Sequence, residues 1–130
     1  MGRAKKPGLT RRVERHYRAI LAYKAEAWLG NQRWAFGDRH HAWSAYFFAK
    51  KWRGRNIDIR ALQRIVFHCG YPDVALRFAK DIPGVNIKKL QSVVLERGSP
   101  EEKRLFARDV PGADVQWLES MAAVQEVMEM

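Results

Sequence analysis

Leu62-Gln63-Arg64-Ile65-Val66-Phe67-His68-Cys69-Gly70-Tyr71-Pro72 and Leu90-Gln91-Ser92-Val93-Val94-Leu95-Glu96-Arg97-Gly98-Ser99-Pro100 are two versions of one phrase, offset by 28 residues. The correspondence continues from Phe78-Ala79-Lys80-Asp81-Ile82-Pro83-Gly84 to Phe106-Ala107-Arg108-Asp109-Val110-Pro111-Gly112, and from Asn86-Ile87 to Asp114-Val115. Agreement at a constant offset over this length is the signature of a repeated supersecondary unit.

Each unit reads as two short helices. Asp58, Asn86 and Asp114 stand where N-caps belong, since their side-chain oxygens can accept from the amides of the first turn. Gly70 and Gly98 are placed to end the first helix in the left-handed conformation. Pro72 and Pro100 suit the first position of the second helix. Ser99 with Glu102 has the spacing of a capping box. Pro83-Gly84 and Pro111-Gly112 stop the second helix. Leu62, Val66 and Cys69 share one helical face, as do Leu90 and Val94, and Ala75, Phe78 and Ala79 face inward from the second helix. Such a pair cannot bury its stripe alone, so neighbouring pairs are expected to stack. The last helix, over 115–130, carries Leu118, Met121, Ala122 and Gln125 and is expected to cap the stack, with Met121 and Met128 as core filler.

Upstream, Phe48-Ala49-Lys50-Lys51-Trp52-Arg53-Gly54-Arg55-Asn56-Ile57 repeats Phe78 to Ile87 in degenerate form, with a two-residue insertion before Leu62. Asp38 is placed to cap a helix from Arg39 to Trp52, and Thr10 a long helix to about Leu29. The apolar stripe of that long helix is Leu9, Val13, Tyr17, Ile20, Leu21 and Trp28. The pattern Leu-Gln-x-x-Val, Gly-x-Pro, Phe-Ala-[Lys/Arg]-Asp-[Ile/Val]-Pro-Gly resembles tandem α-helical-repeat proteins of uncharacterised bacterial and phage type, over about residues 46–118. The resemblance implies a stacked α-helical fold and brings no catalytic residue with it. The expectation is an all-α, single-domain, solenoid-like stack of short helical repeats with a long N-terminal helix. It divides into a flexible basic arm over 1–8, basic aromatic-rich helices over 9–54, two helix-pair repeats over 55–114 and a capping helix over 115–130.

Charge is distributed unevenly. The net charge is +10, with 16 Lys and Arg against 4 Asp and Glu up to Ile65, and 8 against 10 beyond it. The whole excess is therefore N-terminal, which points to an anionic partner. Arg11, Arg12, Arg15 and Arg18 mark the polar side of the first helix. Lys50, Lys51, Trp52, Arg53 and Arg55 crowd the corner where later units carry Asp81 and Pro83, and Arg60 and Arg64 extend it. These are the candidate nucleic-acid-binding residues. Cations release counterions from a phosphate backbone, and Trp52, Trp34 and Tyr23 are candidates to stack on unpaired bases. The same charge run suits a solvated face, and Trp52 suits the core as well as the surface. Trp28, Trp43, Tyr46, Phe47 and Phe48 are read as core.

Catalytic and metal motifs are missing. His40 and His41 are adjacent and diverge by about 100° on a helix, without Glu or Cys at ligand spacing. Cys69 is the only cysteine, which excludes an intramolecular disulfide and the four-cysteine zinc frameworks. No glycine-rich phosphate loop is present. The charged N-terminus lacks the apolar run of a secretory signal, and no stretch has the length of a membrane span. The reading is a cytoplasmic, non-enzymatic protein with no cofactor, no metal and no membrane, binding DNA or RNA. The alternative is a protein-interaction module, such as a small phage or bacterial regulator, docking on an acidic protein.

Overall fold

The computed structural model describes residues 9–28 and 38–130. Within them the chain forms seven α-helices and no strand: α1 (Arg11–Trp28), α2 (Asp38–Trp52), α3 (Ile59–Cys69), α4 (Pro72–Asp81), α5 (Ile87–Arg97), α6 (Pro100–Asp109) and α7 (Val115–Met128). The basic arm and Trp34 lie outside the described residues, and the side chains of Tyr23, Trp28 and Asp38 outside the described side chains.

Local chemistry sets the helix starts. Thr10 Oγ1 accepts from the Val13 amide at 3.3 Å. Asp58, Asn86 and Asp114 accept from Ala61, Lys89 and Trp117 amides at 3.1, 3.2 and 3.1 Å. Each such cap is worth about 1 kcal/mol. Ser99 and Glu102 form both bonds of the capping box, and Pro72 and Pro100 open α4 and α6. Gly70 ends α3 at φ 75°, in the left-handed region. Gly98 does not follow it: its φ is −77°, in extended backbone. Its lack of a side chain serves a close approach instead, since a Cβ there would stand 2.5 Å from the Val94 carbonyl oxygen.

The helices pack in an ordered way. α2 lies on α3, α4 on α5 and α6 on α7, while α1 meets α3, α3 meets α5, α2 meets α4 and α4 meets α6. One continuous apolar cluster runs through Ile20, Tyr46, Phe48, Leu62, Val66, Phe78, Leu90, Val94, Phe106 and Leu118. Three hydrogen bonds of one kind stitch successive helices. Tyr17 Oη accepts from the Asp58 amide at 2.6 Å, Gln63 Oε1 from the Asn86 amide at 2.8 Å and Gln91 Oε1 from the Asp114 amide at 2.8 Å. In each case the donor is the capping residue of the next helix on the same side. Gln63 is buried, so its oxygen is held in place by packing. Burial pushes the Tyr17 phenol above its ordinary 10.0; the amide bond from Asp58 opposes that shift and the Asp58 charge adds to it.

The far end is built differently. Lys103 is only 3% exposed, and its ammonium donates to the Gly98 carbonyl at 2.7 Å and to Gln125 Oε1. This ties α7 to the start of α6. Leu118 and Ala122 are buried. Met121 is half-buried, but Met128 is 80% exposed and is not core filler. It lies at the end of α7, past the level of Lys103 and Gln125 where the start of α6 last covers that helix.

Replacing Gln63 by Leu should cost about 1 kcal/mol in urea denaturation, because the Asn86 amide loses its acceptor while the buried volume is kept. Burial holds the Lys103 ammonium below its ordinary 10.5, with Glu129 and Glu102 pulling the other way. The unfolded chain therefore binds this proton more tightly, and the contribution to stability rises with pH between the lowered folded value and 10.5. Wild type should gain stability relative to Lys103→Met as pH is raised from neutral through that window. A constant difference would contradict the assignment.

Candidate polyanion-binding groove

The cations predicted from the sequence fall into three places. The first is a groove of about 670 Å³ between α1 and α2, lined by Arg12, Val13, His16, Ser44, Phe47, Phe48, Lys51 and Trp52. Helical spacing builds it. Ser44, Phe47, Phe48 and Lys51 recur at intervals of three and four along one side of α2, and Arg12 and His16 do so on α1. The opposite stripe of α2, formed by Ala42, Ala45, Tyr46 and Ala49, is buried. Among the described residues no carboxylate lines the groove. Phe47 is 57% exposed, which corrects its reading as core; Tyr46 and Phe48 are buried, and Trp43 and Trp52 half-buried. Trp52 packs against Phe48 at 6.2 Å between centroids, with Lys51 Nζ 5.4 Å and Arg55 Cζ 5.6 Å from its own centroid. Its indole thus already carries two cations, an arrangement that holds them near the groove mouth.

The second place is the corner between α2 and α4. Tyr46 donates its hydroxyl to Asp81 Oδ2, which also draws Lys50 Nζ to 3.9 Å and Arg77 Nε to 3.8 Å. Arg53 donates to the Asp81 backbone carbonyl at 3.0 Å. Lys50 and Arg53 are therefore directed to α4. The Tyr46 hydroxyl raises the Arg77 guanidinium further above its ordinary range, with Asp81 adding to it. The third place is a hollow of about 380 Å³, in which Arg60 and Arg64 of α3 face Lys89 of α5 across Gln63 and the Gly84–Asn86 backbone.

On α1, Arg18 is bound to Glu14 through its Nη2 at 2.8 Å. Arg11, Arg12, Arg15, Lys51, Arg55, Arg60 and Arg64 form no ion pair with any described residue. The α1 and α2 clusters thus meet at one point, through Arg12 and Lys51, while Arg60 and Arg64 belong to a separate hollow. Sequence reasoning missed Phe47, His16 and Lys89. For Phe47 a signal was present: it stands about 180° from the small-residue stripe of Ala45 and Ala49 on a helical wheel. Lys89 carried none, because only the fold brings α5 beside α3.

Among the described residues no group of three His, Cys, Asp or Glu side chains is placed to hold a metal ion, and no helix is long and apolar enough to cross a membrane. The fold defines an all-α protein, and the site is a basic, aromatic groove. Comparison with known protein families, with curated proteins and with solved structures gives no match.

Tyr46→Phe should destabilise the protein by about 1–3 kcal/mol, since the partly buried Asp81 carboxylate loses a hydroxyl donor. Urea denaturation of wild type, Tyr46→Phe, Asp81→Asn and the double variant measures the coupling. Additive losses would contradict the assigned bond.

Proposed function

We propose that the chain is a short helical-repeat stack that binds nucleic acid without catalysis, through the groove between α1 and α2. The observation that carries this reading is the groove itself: Arg12 and Lys51 without an ion pair to any described residue, exposed Phe47 and half-exposed Trp52 beside them, and no carboxylate among the described residues of the lining. Cations at a groove edge suit phosphates, and an open aromatic face suits an unpaired base. A single strand of RNA or DNA can offer both at once. Arg11 and Arg15 stand on the neighbouring ridge of α1, where they would extend the track along the backbone. The Arg60, Arg64 and Lys89 hollow adds a second phosphate-sized recess.

The repeat reading is supported by the three equivalent stitches from Tyr17, Gln63 and Gln91 and by the alternation of packing partners. Turns after α2, α4 and α6 also recur, each with a glycine at positive φ: Gly54, Gly84 and Gly112. A cytoplasmic setting agrees with a lone, buried cysteine. Docking of an acidic protein on the same cations is the second reading. Lys50 and Arg53 favour it least, being engaged within the molecule.

Titration of labelled single-stranded RNA and DNA against the protein over a range of salt is the test. Binding should weaken with salt, and the slope of log K against log salt should fall by roughly 0.7 for each phosphate contact removed. Arg12→Gln with Lys51→Gln should lower it by roughly 1.4, and Phe47→Ala should cost roughly 1–3 kcal/mol of affinity without altering it. No binding at low salt, or an unchanged slope in the double variant, would remove the proposal. Saturable binding of an acidic protein that persists after nuclease treatment, with no oligonucleotide binding, would favour the second reading.

A further inference from the structure

One exposed stripe of α7 is uncharged and apolar. Leu118 and Ala122 point into the core. On the other side, Trp117 is 52%, Val124 50%, Val127 67% and Met128 80% exposed, with Met121 half-buried beside them. At about 100° per residue, Trp117, Met121, Val124 and Met128 fall in one narrow stripe. Ser120 and Val127 flank it on one side and Gln125 on the other. The carboxylates of α7 lie away from it: Glu119 and Glu126 reach Arg104 at 3.3 and 2.6 Å. Arg104 in turn holds the Glu126 carboxyl below its ordinary range. The end helix of a repeat stack ordinarily shows water a polar outer face, and here an apolar stripe interrupts it.

We propose that this stripe is a homodimer interface, in which α7 packs antiparallel against α7 of a second copy. The intervals along the stripe are four, three and four residues, which is symmetric about the point between Ala122 and Ala123. A twofold axis through that point sets Trp117 against Met128 of the second copy and Met121 against Val124. The patch is therefore complementary to itself, as an isologous contact requires. The same four-three alternation is the seam spacing of helices crossing at about 20°. The stripe itself carries no charge: Asp114 and Glu129 stand beyond its two ends, and Glu119 and Glu126 are compensated by Arg104. The excess positive charge lies in residues 1–65 of the sequence, and α7 itself contains no Lys or Arg. One stripe on one helix offers on the order of 500 Å² per copy, below the roughly 800 Å² per partner of a stable complex. The dimer is accordingly weak and concentration-dependent.

Sedimentation velocity of the full chain over increasing concentration tests this. The mass should move from 15.1 kDa towards twice that value. Val124→Glu with Met128→Glu should stay monomeric at every concentration, with the helical circular dichroism of wild type confirming that it folds. Orientation is read from cysteine variants: Met121→Cys mixed with Val124→Cys should cross-link under mild oxidation more than either alone. A wild-type monomer throughout would overturn the proposal and leave the face to a different partner. Association that survives the glutamate substitutions, or preferential Met121→Cys self-cross-linking, would overturn it too. None of these readouts depends on nucleic acid.

Discussion

Helices of ten and eleven residues, the lengths of α3 to α6, are not stable alone in water, because nucleation costs more than so few hydrogen bonds return. What keeps them is burial of one apolar face against a neighbour whose own face is buried by the next. Leu62 and Val66 depend on this, as do Leu90 and Val94, and all four are inaccessible to water. The capping bonds and the glutamine stitches add direction to this non-directional force. A glutamine oxygen can satisfy the amide of the next capping residue only at one distance and register, and burial holds that of Gln63 in place. Stitches from Gln63 and Gln91 therefore fix how far each helix slides past the next.

The basic end follows from the same constraint. α2 turns Ala42, Ala45, Tyr46 and Ala49 to the core, which leaves Ser44, Phe47 and Lys51 on the opposite side. That side forms the groove with Arg12, Val13 and His16 of α1. Further along, Asp81 gathers Tyr46, Lys50 and Arg77 into a small network that joins α2 to α4. The result separates cations that hold the molecule together from cations that pair with no described carboxylate.

Much of this could be read from the chain because caps, prolines and the stripe of Leu62, Val66 and Cys69 are local features with local causes. Asp58, Asn86, Asp114 and the Ser99–Glu102 box took the roles their positions required. Gly98 was misread because a glycine after a helix has two uses. Here the nearness of the Val94 carbonyl, not a left-handed turn, excludes a side chain. Phe47 was misread because aromatic residues in a run were treated together, although neighbours on a helix face different ways. The division of the cations depended on tertiary contacts: nothing along the chain says that Lys50 meets Asp81 or that Arg64 faces Lys89. Met128 fell outside the core because the helix it would need beside it is not among the seven.

The proposed groove is tested most directly by nuclear magnetic resonance of the isotope-labelled protein titrated with a short single-stranded oligonucleotide. The account predicts that the largest shift changes fall on the His16 and Phe47 rings, the Trp52 indole and the amides around Arg12 and Lys51. Changes confined to α5 through α7, or none at low salt, would contradict it.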